Sequence, residues 1–138
     1  MLGKHTIKTW SSTQSIVSLS SGEAEFYGMV KGGTVTLGIQ SLLTEVGVNM
    51  KITIKSDASA AIGIAKRKGL GKVRHIDVQD LWIQEKVNSG KFTIQKVHTS
   101  DNLADALTKY VDPGNIVHHV TGTNQRWIIH ESLLALRA

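Results

Sequence analysis

Hydrophobic and polar positions change period several times along this chain, and each change predicts an element. In "HTIKTW", Thr and Lys alternate with Ile and Trp, which predicts a half-buried strand over roughly residues 5–10. The serine-rich "SSTQSIVSLSSG" reads as a loop leading to a helix that opens near Ser20 or Ser21. Ser20 with Glu23 three residues on has the form of a capping box, in which each side chain satisfies a free amide of the other. From there Phe26, Met29, Val30, Leu37, Leu42, Leu43 and Val46 recur at mixed helical spacing. Gly32 and Gly33 weaken that helix by up to about 1 kcal/mol each and mark a kink or a close approach.

"KITIKSD" is the clearest strand, with Ile52 and Ile54 on one face. "ASAAIGIAKRKG" follows as a short helix ending at Gly69. In "HIDVQDLWIQEKVNSG", Ile76, Leu81, Trp82, Ile83 and Val87 form a prospective buried stripe before Gly90. "KFTIQKV" alternates again as a strand, and "DNLADALTKYV" predicts a further helix. Pro113 and Gly114 then break the pattern, and residues 113–138 carry no evident role. Strands alternating with helices indicate an α/β fold with some parallel pairing, in one domain over residues 1–112 with a C-terminal tail.

Composition narrows the class of partner. The 138 residues can bury one core, and a net charge of +5 with a pI near 9.6 favours a polyanion such as nucleic acid or an acidic membrane surface. The absence of cysteine excludes disulfides and thiolate metal sites, leaving oxygen or imidazole ligands. No apolar run approaches bilayer length and the first ten residues lack a signal-peptide core, so the expected location is intracellular, cytoplasmic or nuclear, and not secreted or membrane-bound.

Three acids fall at element junctions: Glu25 early in the long helix, Asp57 at the carboxyl end of the best strand, and Asp105 after the last strand. Ligands in α/β sheets gather beyond the carboxyl ends of strands, and oxygen-only acidic sites select hard ions such as Mg²⁺. Spacing alone favours the plainer reading, with Asp57 capping the next helix, Glu25 favoured by the helix dipole and Asp105 simply solvated. Lys66, Arg67, Lys68, Lys72 and Arg74 form a basic loop, either a phosphate contact or a solvated turn.

Four blocks, "WSSTQSIVSLSSGEAEFYGMV", "IKSDASAAIGIAK", "RHIDVQDLWIQEKVNSG" and "VHTSDNLADALTKYV", resemble in order and separation the ribonuclease H region of Ty1/copia-type retrotransposon polyproteins, over about residues 4–112. The resemblance implies a ribonuclease H-like mixed sheet of five strands flanked by helices, and metal-dependent hydrolysis of the RNA strand in RNA–DNA hybrids. The cofactor it implies is Mg²⁺ or Mn²⁺, held by four carboxylates, and the partner upstream in the family is a reverse transcriptase. Matched block by block, Glu25 in "AEF", Asp57 in "SD" and Asp105 in "LAD" take the positions of metal ligands, while Glu23 stays with the cap. His98 stands near a position where some ribonucleases H use a histidine to help protons leave; an ordinary loop histidine is the alternative. His75 in "RHID" also resembles a family position, as a packing residue, and the pair His118 and His119 has none. The family's first carboxylate and its two opening strands lie upstream of the "WSS" block, so the expected fold lacks two strands and one ligand, and the expected activity is impaired. The alternative function is a non-catalytic nucleic-acid-binding or interaction module on the same scaffold.

Overall fold

The computed structural model describes residues 1–14, 16–71, 76–108 and 110–126. Two compact units divide the chain: a larger one, Gln14–Asn102, and a smaller one that joins Met1–Thr13 to Leu103–Ala138.

The larger unit opens with α1 (Ser21–Glu45), a helix of 25 residues. Its start is set by Ser20, whose Oγ accepts from the Glu23 amide at 3.2 Å. Glu23 is buried and reaches back to accept from the Leu19 amide at 3.0 Å, one residue before the position a capping box prescribes. The two glycines in mid-helix serve different ends. Nothing lies within 4 Å of where a Gly32 side chain would project, whereas a Cβ on Gly33 would stand 3.1 Å from both Phe92 Cε2 and Trp82 Cη2. Gly33 therefore lets the helix axis approach the edge-to-face pair Trp82–Phe92, whose centroids are 5.9 Å apart. Beyond Leu37 the helix leaves the core, and Leu42 and Val46 are exposed.

After α1 come β1 (Ile52–Ser56), α2 (Ser59–Lys66), a 3-10 turn (Val78–Leu81), α3 (Trp82–Asn88) and β2 (Phe92–Lys96). The strands pair in parallel, Ile52 opposite Phe92 and Ser56 opposite Lys96. Parallel strands need a crossover, and here α2 and α3 supply it while covering the inner face. That face contributes Ile52, Phe92 and Ile94 to a core completed by Phe26, Met29 and Val30 of α1, Ala61, Ile62, Ile64 and Ala65 of α2, and Ile76 and Ile83. The expected stripe of Ile76, Leu81, Trp82, Ile83 and Val87 forms, although the α-helix that carries most of it covers only Trp82–Asn88.

In the smaller unit, the alternation at residues 5–10 does not make a strand. An antiparallel bridge between Leu2 and His5 is all the pairing found there, with Ile7 and Trp10 exposed. Without a partner ladder, alternation alone cannot hold a strand. The predicted helix over "DNLADALTKYV" is instead a 3-10 segment, Leu103–Leu107. Pro113, expected to break the chain, starts α4 (Pro113–Gly122) as its first residue. Asp112 caps it, accepting from the Asn115 amide at 3.0 Å. His119 Nδ1 lies 2.6 Å from the Leu103 carbonyl, and Thr6 Oγ1 donates to Thr123 O at 2.8 Å. Among the described residues no helix is long and apolar enough to cross a membrane.

Candidate functional site

The carboxyl end of the parallel pair gathers the polar groups of the larger unit. The ladder runs one step past the strands, with Val97 N donating to Ser56 O at 3.0 Å, so Asp57 leaves the sheet beside β2. Buried Ser56 turns the chain: its Oγ accepts from the Ala58 amide at 3.1 Å and starts the bend into α2. Asp57 does not cap that helix. The N-cap residue is Ala58, with no side-chain cap, and Ser56 has already taken the local hydrogen bond. Asp57 is half-buried, and its Oδ1 accepts from Asn102 Nδ2 at 3.1 Å, which fixes the carboxylate across 45 residues of sequence.

α1 meets α2 at their first turns. A Cβ on Gly22 would stand 2.6 Å from Ala60 Cβ, a distance only glycine permits. Glu25 is exposed one turn beyond Gly22, and Asp57 precedes Ala60 by three residues, so both acids stand within about a turn of this crossing. Asp105, half-buried in its 3-10 segment, belongs to the smaller unit. Among the described residues, no group of three or more His, Asp or Glu is arranged to hold a metal ion. Asp57 and Glu25 are nonetheless hard oxygen donors of the kind that suits Mg²⁺, an ion that takes one or two carboxylates and keeps several waters.

Two further groups border this end. His98 is exposed and caps the 3-10 turn Thr99–Asp101, its Nδ1 accepting from the Ser100 amide at 3.4 Å and leaving Nε2 to solvent. Lys96 donates from Nζ to Ser59 Oγ at 2.7 Å, tying the end of β2 to the first residue of α2. Sequence reasoning passed over both Asn102 and Lys96. The signal available for Asn102 was its place in "SDNLAD", just past the short turn Thr99–Asp101 that follows β2, the strand beside Asp57.

The basic loop divides. Lys66 and Lys68 are exposed, whereas Arg67 folds back to donate to the Leu70 carbonyl and its Nε is buried without a partner. Lys72, Arg74 and His75 lie outside the described residues. Gln84, also missed in the sequence, holds the loop in place. It is buried, donates from Nε2 to the carbonyls of Ile64 (2.8 Å) and Gly69 (3.1 Å), and accepts from the Gly69 amide (2.8 Å).

A second acidic group lies against α1. Burial, then the nearby Asp77 carboxylate, pushes Asp80 above the usual carboxylate range, and its Oδ2 is buried without a hydrogen bond. Burial also raises Tyr27, with Asp80, Glu23 and Asp77 adding to the effect.

Relatives of this chain among known proteins include Pol polyproteins of plant transposons. The retrovirus-related Pol polyprotein from transposon TNT 1-94 of Nicotiana tabacum is 33% identical over 106 residues, 75% of this chain and 8% of that protein. Those from transposons RE1 and RE2 of Arabidopsis thaliana are each 32% identical over 111 residues, 78% of this chain and 8% of theirs. The chain thus spans about 8% of the length of the curated relatives it matches. No family model matches it, and no solved structure does.

Proposed function

The chain belongs to the retrovirus-related Pol polyproteins of copia-type transposons, and from that premise we propose that it is their ribonuclease H-like segment, acting on the RNA strand of RNA–DNA hybrids. The observation that carries the reading is Asp57: a half-buried carboxylate just beyond the end of a parallel strand, fixed by Asn102, where an α/β sheet places its ligands. In this reading Asp57 and Glu25 hold a divalent ion, Mg²⁺ or Mn²⁺. The bound ion would supply a water acidified for attack on phosphorus and charge to stabilise the leaving oxygen. Asn102 keeps Asp57 oriented. His98 offers an exposed Nε2 as proton acceptor. Lys66 and Lys68 contact phosphates without reading bases, which suits a substrate recognised by backbone and shape.

The test is cleavage of a labelled RNA–DNA hybrid in Mg²⁺ and in Mn²⁺ by the chain and by its Asp57→Asn variant. The expected result is weak metal-dependent cleavage by the parent, in line with the impaired activity that the resemblance implies, and a further loss of at least about 100-fold in the variant, the scale set by removing a group that stabilises transition-state charge. Hybrid binding without cleavage by either protein favours the alternative, a non-catalytic nucleic-acid-binding module. Equal cleavage by both refutes the assignment of Asp57.

A further inference from the structure

Strand residues alternate between faces, and the face of this sheet turned away from the core is open. On β1, Thr53 and Lys55 are exposed, as is Lys51 just before the strand; on β2, Thr93 and Gln95 are exposed, as is Lys91 just before it. The register pairs Thr53 with Thr93 and Lys55 with Gln95, and one step earlier sets Lys51 opposite Lys91. A parallel sheet is ordinarily covered on both faces by apolar side chains. This one has an outer face of three lysines, two threonines and a glutamine, with no acid and no apolar residue among the six. Among the described residues none of the six side chains is engaged in a hydrogen bond or ion pair.

We propose that this face is a second nucleic-acid contact, taking the phosphate backbone of a duplex through Lys51, Lys55 and Lys91, with Thr53 and Thr93 donating hydroxyl hydrogen bonds. The geometry is a strip: at about 3.3 Å per residue Lys51 and Lys55 are roughly 13 Å apart, and the strands lie about 4.8 Å apart. Three ammonium groups on such a strip complement a regular row of phosphates. A lipid surface is a poor match, since an interfacial site buries aromatic or aliphatic side chains and none projects here. A single strand is a poor match as well, because such sites stack bases on aromatic rings. What is left is contact with the backbone of a duplex, which positions without reading sequence. The face is distinct from the loop at Lys66 and Lys68. It deepens the reading proposed above and rests on it only for the choice of hybrid as probe.

The experiment measures binding of a short fluorescent RNA–DNA hybrid by anisotropy across a salt series, in EDTA so that the outcome does not depend on cleavage. It compares the full chain with the triple variant Lys51→Gln, Lys55→Gln, Lys91→Gln. The variant is expected to bind about tenfold or more weakly at low salt, and its slope of log affinity against log salt should be shallower by about 3, one for each phosphate no longer neutralised. An unchanged slope overturns the proposal. So does unchanged affinity with new self-association, which would assign the lysines to protecting the sheet from edge pairing. So too would loss of binding to anionic vesicles with hybrid binding kept. If the triple variant does not fold, amide shifts of the parent chain during hybrid titration decide: shifts concentrated at residues 51–55 and 91–95 uphold the contact, and their absence there refutes it. Because no metal is present, failure to cleave hybrids would leave this result standing, and failure here would leave Asp57 untouched.

Discussion

Two pairs of residues fix local geometry in the larger unit: Ser20 and Glu23 cap α1 across three residues of sequence, and Asn102 anchors Asp57 across 45, the first a pair that spacing reveals and the second one that it does not. The paired glycines show how packing separates identical letters. Gly32→Ala should stabilise the protein by about 0.5–1 kcal/mol, since the added methyl meets nothing and the helix gains propensity. Gly33→Ala should destabilise by about 1–3 kcal/mol, because its methyl would crowd Phe92 and Trp82. Opposite signs in urea melts check the pair. Asp80 gives a pH-dependent prediction. Its carboxyl sits above its ordinary 3.8, so the folded state binds that proton more readily than the unfolded chain. The resulting stability is full below pH 3.8 and is lost as pH rises through the raised value, leaving a buried, ionised and unpaired oxygen at neutral pH. Asp80→Asn should therefore raise the melting temperature at pH 7 and not at pH 3. A fall at pH 7 would show that the charge has a stabilising partner.

Elements were legible where a hydrophobic period coincided with a packing partner. β1, β2 and α2 appear close to their predicted bounds because Ile52, Phe92 and Ile62 all have a core to enter. "HTIKTW" has the same alternation but no adjacent strand, and its period came to nothing. Pro113 was misread because a proline that breaks one element is equally suited to begin the next once Asp112 supplies a cap. The loop after α2 depends on an element distant in sequence, since Gln84 of α3 makes three hydrogen bonds to Ile64 and Gly69. Gln84→Ala should cost about 1–3 kcal/mol by leaving those buried groups unmatched. It should also raise the exchange rates of amides 67–71 above those in β1, without moving the salt dependence contributed by the sheet face. Unchanged loop exchange would mean that Arg67 alone maintains the turn.

For the whole molecule, four ordered blocks were enough to identify the Pol family, because order and separation constrain a match far more than any one acid does. The division into two units was not legible, since hydrophobic patterning does not reveal which segments share a core. The twelve buried hydrophobic residues among those described all lie between Phe26 and Ile94, within the larger unit. In the smaller unit α4 buries no hydrophobic side chain, and the contacts described there are polar or involve Leu103 against Gly122. Burial of apolar surface is the main source of resistance to opening, so the units should differ in how readily they open. Amides of α4 are expected to exchange at least about 100-fold faster than those of β1 and β2, through openings that leave the parallel pair intact. Native-state hydrogen exchange at increasing urea separates the possibilities. Protection in α4 that is low and insensitive to urea would mark an independent local opening. Protection that merges with that of β2 would show that the two units unfold as one, and that the polar contacts around Leu103 and Thr123 carry far more stability than hydrogen bonds of about 1 kcal/mol each would supply.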